Sequence, residues 1–274
     1  MDEATARALL EGIHCREPVA GLTHDFYRYP ARFSPLFARA AIRAFTEHGD
    51  VVMDPFVGGG TTLVEARALG RVGVGVDINP LSMFLVRAKT TILTGSDIKK
   101  LRAWGEFAQD ALNLRQPAKR AKEWIDLGYQ TNLTGKTTWP TRKLLELGLE
   151  SIAVLANQKQ ERIARSVLLK TAQWALDCRT EIPSAWEFRQ QLLAHLDEVI
   201  TGALEFRAAA LATDLKRPRK DVRHTLVLNR TVEGLEDEPK LAPYLPPRLV
   251  LTSPPYPGVH VLYHRWQIKG RRET

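Results

Sequence analysis

Between Leu36 and Thr90 the spacing of apolar residues changes period several times. "LFARAAIRAF", Leu36 to Phe45, repeats its apolar positions every three to four residues behind Pro35, the pattern of an amphipathic helix with proline in its first turn. "DVVMDPF" is a short β-branched run closed by Pro55 and a glycine cluster, which predicts a buried strand. "TTLVEARALG" returns to helical spacing, with Thr61 as N-cap and Gly70 as stop. "RVGVGVDINP" predicts a second strand closed at Asn79-Pro80, and "LSMFLVRAKT" a second helix. Strand, glycine turn, helix and strand make a βαβ unit, whose strands run parallel because the helix carries the chain back across the sheet.

From about Asp97 to Val222 the texture is mostly helical, with polar loops between, notably "YQTNLTGKTTWP". "ERIARSVLLKTAQWALD" and "WEFRQQLLAHLDEVITGALEFRAAALATDL" keep a three-to-four-residue apolar spacing, and the segment ends in the basic run "KRPRK". "TLVLN" and "PRLVL" then predict two more strands, the last running into "TSPPYPG". The fold expected is α/β with a large, mostly helical insertion, divided at 1–96, 97–222 and 223–274. No internal repeat is evident.

Composition narrows the setting. The 274 residues are 44% hydrophobic and 26% charged, which is globular material with room for a sizeable core. No apolar run approaches the roughly 18 residues of a membrane span, and the acidic start "MDEATARALLEG" lacks a signal pattern, so a cytoplasmic protein without a membrane partner is expected. Cys15 and Cys178 form no CxxC, and His14, His195 and His260 share no ligand spacing, so no metal is expected. A net charge of +8 points to a polyanion, because Lys and Arg gain free energy by displacing counterions from phosphates.

Two stretches carry chemistry. In an open parallel sheet, ligands bind beyond the carboxyl ends of the strands. Gly58, Gly59 and Gly60 follow such an end, where absent side chains let a ligand approach the backbone. An acidic residue ending the next strand is placed to accept from ribose hydroxyls, and Asp77 fills that position. No Lys-Ser/Thr follows these glycines, which argues against a phosphate-binding P-loop. "TSPPY" is neither strand nor helix: Pro254 and Pro255 make it a rigid turn.

Together these residues carry a resemblance. "DPFVGGGTT" and "VGVDINP" resemble motifs I and II of the S-adenosylmethionine-dependent DNA amino-methyltransferases. "TSPPY" resembles their catalytic motif IV, and "HDFYRYPARFSP" the aromatic segment that precedes motif I. The four occur in the family's order and cover about a third of the chain. The resemblance implies a Rossmann-like class I methyltransferase sheet, S-adenosylmethionine as cofactor, DNA as partner, and a setting of DNA methylation and restriction–modification. It implies a cofactor site at Tyr29, Pro30, Arg32, Asp54, Pro55, Phe56, Gly58, Gly60, Thr61, Thr62, Asp77, Ile78 and Asn79. The catalytic turn would be Ser253, Pro254, Pro255 and Tyr256, with Lys216, Arg217, Arg219 and Lys220 against DNA.

The chemistry is coherent. An exocyclic base amine is a weak nucleophile, so the base must be extruded, stacked and have its amino hydrogens accepted. Ser253 Oγ and the Pro254 carbonyl are candidate acceptors, and Tyr256 a stacking face. Methylation at cytosine C5 needs a nucleophilic cysteine, and neither Cys15 nor Cys178 has the flanking proline such enzymes carry. Serine in the first position of motif IV is more typical of N4-cytosine than of N6-adenine enzymes. The insertion departs from the family, where the target-recognition segment more usually follows the third strand or lies at the C-terminus. A family domain also has three further strands after motif IV. The expectation is therefore a truncated domain, completed by a longer chain or a second polypeptide. Two other readings stay open: a methyltransferase of RNA or protein glutamine, and an inactive nucleic-acid-binding fragment or subunit.

Overall fold

A computed structural model describes residues 2–16, 19–30, 34–118, 133, 135–213 and 222–255. The chain divides into two compact units, Met1–Ile92 with Thr201–Tyr263, and Leu93–Ile200 with His264–Thr274.

The first unit is α/β. Helix α1 (Glu3–His14) is capped by Asp2, whose carboxylate accepts from Thr5 N at 2.7 Å. Helix α2 (Pro35–Phe45) starts at the predicted proline. Strands β1 (Val51–Asp54) and β2 (Val72–Asp77) flank helix α3 (Thr61–Ala68), and α4 (Pro80–Lys89) follows under an Asn79 cap. Strands β3 (Thr225–Asn229) and β4 (Leu249–Val250) complete a four-stranded, all-parallel sheet in the order β3-β2-β1-β4. Strand order thus reverses between β1 and β4, which is the topological switch point of a doubly wound sheet. A four-stranded parallel sheet with helices is compatible with a Rossmann-like methyltransferase fold.

The alternation in "VGVGVD" has a packing cause. Val72, Val74 and Val76 cluster with Met53, Leu228, Leu241 and Tyr244 on one face. Gly73 and Gly75 turn to the other, where a Cβ would meet the Leu63 side chain of α3 at 2.9 Å. The glycines let α3 lie directly on the sheet. One local expectation changes: Gly60, at φ 82°, caps α3 and Thr61 is its first residue, because a left-handed turn closes the glycine loop. Gly70, at φ 77°, does follow the helix as its stop.

The second unit is helical among its described residues. It comprises α5 (Gly95–Ala111), α6 (Trp139–Ser151), α7 (Gln158–Leu176) and the first part of α8 (Ala185–Ala212). Trp104, Ile163, Val167, Phe188 and Leu192 are fully buried, and Trp104 Nε1 donates to Ser151 Oγ at 3.0 Å. Asp97 closes a capping box with Thr94 at the start of α5. Burial works to raise its carboxyl, but bonds from Thr94, Gln160 and Asn157 prevail and hold it at about 2.

The last turns of α8 belong to the first unit. Phe206 packs with Val64 and Ala68, and Glu205 accepts from Leu22 N at 2.9 Å. Gly202 lies so close to Leu22 that a Cβ there would stand 2.1 Å from the Leu22 carbonyl oxygen. No helix among the described residues is long and apolar enough to cross a membrane.

Candidate active site

The site grows from the carboxyl ends of β1, β2 and β4. Strand β1 ends at Asp54, which is 1% exposed and accepts three hydrogen bonds. Oδ1 receives Phe56 N at 3.1 Å and Thr252 Oγ1 at 2.7 Å, and Oδ2 receives Thr62 Oγ1 at 2.8 Å. Burial pushes the Asp54 carboxyl up, against the pull of those donors. Pro55 and Phe56 are half-buried, Thr61 and Thr62 buried.

The glycine turn is braced from three sides. Val57 N donates to Val76 O at 3.0 Å, and Gly60 N to Val57 O at 2.8 Å. The ring of Tyr29 lies over the turn: a Cβ on Gly58 or Gly59 would sit 3.0 or 2.9 Å from Tyr29 side-chain atoms. Its hydroxyl pairs with Ser82 Oγ at 3.0 Å and Asn79 Nδ2 at 3.4 Å. From below, the buried ammonium of Lys89 donates to Gly59 O at 2.8 Å.

Asp77 ends β2 and accepts backbone N–H groups from Gly58 at 2.9 Å and Asn79 at 2.8 Å. A carboxylate has about four acceptor positions, so Asp77, half-buried, retains capacity for a ligand hydroxyl. Beside it Ile78 is 74% exposed, an apolar side chain standing in solvent at the strand end.

Under this turn lies a buried ion cluster. Glu65, in mid-α3, is fully buried and accepts from Arg39 Nε at 2.7 Å and Nη2 at 3.0 Å, with His24 Nε2 at 2.8 Å. Burial works to raise the Glu65 carboxyl, but the bonds from His24 and Arg39 outweigh it and hold it low. An ionised Glu65 only accepts, so His24 Nε2 carries its proton. Burial lowers the His24 imidazole, which is therefore neutral at neutral pH.

The structure thus brings together Tyr29, Asp54, Gly58, Gly60, Thr62, Asp77 and Asn79. Pro30 is half-buried in the same segment as Tyr29. Ser253 is half-buried and Pro254 and Pro255 are exposed, directly after the Thr252 bond to Asp54. Arg32, Tyr256, Lys216, Arg217, Arg219 and Lys220 lie outside the described residues, as does Trp124. Of the other tryptophans in the helical unit, Trp139 and Trp186 are exposed, and Arg179 stacks over Trp174 at 4.3 Å. Sequence reasoning missed Arg39, Glu65, Ser82, Lys89 and Thr252. The one available signal was Glu65, a charge inside the apolar run "TTLVEARAL".

The glycine turn and the acidic strand end lie beside the topological switch point of an α/β sheet, the place where open parallel sheets bind ligands. Comparison with known proteins narrows the class. Residues 12–83 match the family model for DNA methylase of the N6/N4 methyltransferase type. The chain is 33% identical over 79 residues to Type II methyltransferase M.MjaII of Methanocaldococcus jannaschii, covering 29% of this chain and 14% of that protein. It is 39% identical over 82 residues to Type II methyltransferase M.MvaI of Kocuria varians, covering 29% and 18%. It is 37% identical over 70 residues to Type II methyltransferase M.BsoBI of Geobacillus stearothermophilus, covering 25% and 14%. The matched segment holds the Tyr29 segment, the glycine turn and the Asp77 strand, so the resemblance to S-adenosylmethionine-dependent DNA amino-methyltransferases holds there. The chain spans less than a fifth of the length of these relatives. No solved structure matches it.

Proposed function

We propose that this chain carries the cofactor half and the catalytic turn of an enzyme that methylates the exocyclic amine of a DNA base, with N4 of cytosine favoured over N6 of adenine. The observation that carries the reading is the convergence of the glycine turn and the TSPP stretch on one buried carboxylate, Asp54, at the switch point of the sheet.

The donor set fits S-adenosylmethionine. Asp77 offers carboxylate acceptors to a ribose, Ile78 an apolar cover for a purine, and the glycine turn a backbone that a ligand can approach. When bound, S-adenosylmethionine supplies a methyl group on a positively charged sulfur. The chain's own residues do the rest. Ser253 Oγ and the Pro254 carbonyl accept the amine hydrogens, which turns the nitrogen lone pair out of the base plane. The prolines keep these acceptors from moving, so the contribution is mainly positional. Tyr256 stacks the flipped base, and "KRPRK" holds phosphates. The segment 97–222 reads the target sequence. The cytosine preference rests on the serine that opens the motif.

Calorimetric titration with S-adenosylmethionine tests the site. Asp77→Ala is expected to weaken binding by about 1–3 kcal/mol, as for loss of a charged acceptor. A transfer assay with duplexes offering only cytosine or only adenine then reads the target amine. A folded chain that binds no S-adenosylmethionine would overturn the proposal, and transfer to adenine alone would overturn the base preference.

A further inference from the structure

We infer that Thr252 is a positioning residue: its hydroxyl, held by Asp54, sets the register of Ser253 and the Pro254 carbonyl against the glycine turn. The inference rests on the proposed function and adds a residue to which neither the motifs nor the family comparison gives a role.

The need for such a residue follows from the prolines. Strand β4 bonds to β1 as far as Leu251 N, which donates to Met53 O at 2.9 Å. Thr252 and Ser253 show no backbone ladder bond among the described residues, and Pro254 and Pro255 have no N–H with which to make one. The two prolines stiffen the turn but cannot attach it. Attachment falls to the residue just before the acceptors.

Thr252 supplies it at 2.7 Å from Asp54 Oδ1. The same carboxylate holds Phe56 N in the glycine turn at 3.1 Å and Thr62 Oγ1 in the first turn of α3 at 2.8 Å. Thr62 Oγ1 also lies 3.3 Å from Leu251 O, so its one proton is shared between Asp54 and, more weakly, the end of β4. Asp54 is buried and anchored at the end of a central strand, so it is a fixed reference for both sides. A carboxylate is acceptor-only and needs donors when buried, which makes the Thr252 hydroxyl matter for its chemistry and not only its shape. Through Asp54, a displacement at Thr252 becomes a displacement of the acceptors relative to the glycine turn.

The test uses the full chain with Thr252→Val, which keeps the shape and removes the donor, and Thr252→Ser, which keeps the donor. Amide hydrogen exchange at Leu251, the last ladder donor before the tether, is read alongside S-adenosylmethionine affinity and transfer kinetics. Thr252→Val should speed exchange at Leu251, whose N–H donates to Met53 O next to the tether, about tenfold, the worth of one hydrogen bond to a charged group. It should lower kcat by about tenfold or more, since misplaced acceptors act on the reaction rather than on ground-state binding. The KM for S-adenosylmethionine and its affinity should stay within about threefold of wild type. Thr252→Ser should restore both exchange and kcat. An active wild type whose exchange and kcat are unmoved by Thr252→Val overturns the inference and leaves the proposed function standing. An inactive wild type in which Thr252→Val still speeds exchange at Leu251 overturns the function and supports the tether. Failure of Thr252→Ser to rescue would show that the methyl, not the hydroxyl, mattered, and would overturn the inference.

Discussion

Replacing Glu65 with glutamine should be among the most damaging single changes in the α/β unit, although the residue lies in a helix and touches no proposed ligand position. The carboxylate is fully buried and receives two guanidinium bonds from Arg39, at 2.7 and 3.0 Å, and one from His24 at 2.8 Å. Bonds to charged groups contribute roughly 1.5–3 kcal/mol each. Arg39 retains 35% of its side-chain exposure, so water recovers part of its loss and its share must be discounted. His24 has no such relief: it is 1% exposed, and a glutamine amide cannot accept from it and from Arg39 as the carboxylate does. The expected cost is about 3 kcal/mol, at the lower edge of what breaking a buried pair takes. Spread over a unit of this size, that lowers the melting temperature by roughly 6–12 °C. The assay matters, because the first unit contains no tryptophan among its described residues and fluorescence therefore reports the helical unit. Native-state amide exchange in α3 reads the correct unit. Adding Arg39→Met to Glu65→Gln should recover part of the loss, since removing both partners leaves fewer charges stranded than removing one. A cost below about 1 kcal/mol, or strict additivity of the two changes, would refute the reasoning.

Three further outcomes are expected. Gly202→Ala should destabilise the α/β unit by at least about 1–3 kcal/mol, because its Cβ would meet the Leu22 carbonyl oxygen at 2.1 Å; thermal unfolding measures it. Stability should fall with acidification below 6.5, the ordinary histidine value. Burial depresses the folded-state His24, so the unfolded chain binds the extra proton and stability rises with pH between the depressed value and 6.5. Glu65 favours a proton on His24, while Lys89 and Arg39 oppose it. His24→Gln should flatten that slope in urea unfolding series at stepped pH. Lys89→Met should weaken S-adenosylmethionine binding by about 1–3 kcal/mol in calorimetry, because Gly59 O loses its charged donor and the turn its brace.

Much of this protein can be read directly from its residues. The β-branched runs, Pro35, Asn79-Pro80 and Gly70 mark strand ends and helix ends by local rules, and the four strands appear where the apolar runs predict them. The glycine turn, Asp77 and the TSPP stretch are equally legible, because backbone freedom and rigidity are carried by glycine and proline themselves. The alternation of "VGVGVD" also shows in sequence, but not its purpose, which depends on Leu63 arriving from α3. What only tertiary structure decided are the partnerships between distant residues. Thr252 and Asp54 stand 198 positions apart, Leu22 and Glu205 183 apart, and His24 and Glu65 41 apart. Local preferences fall off within a few residues, whereas a buried carboxylate is satisfied by whichever donors the packed chain delivers to it. For the same reason the last turns of α8, uniform with the rest of the helix in sequence, pack into the α/β unit.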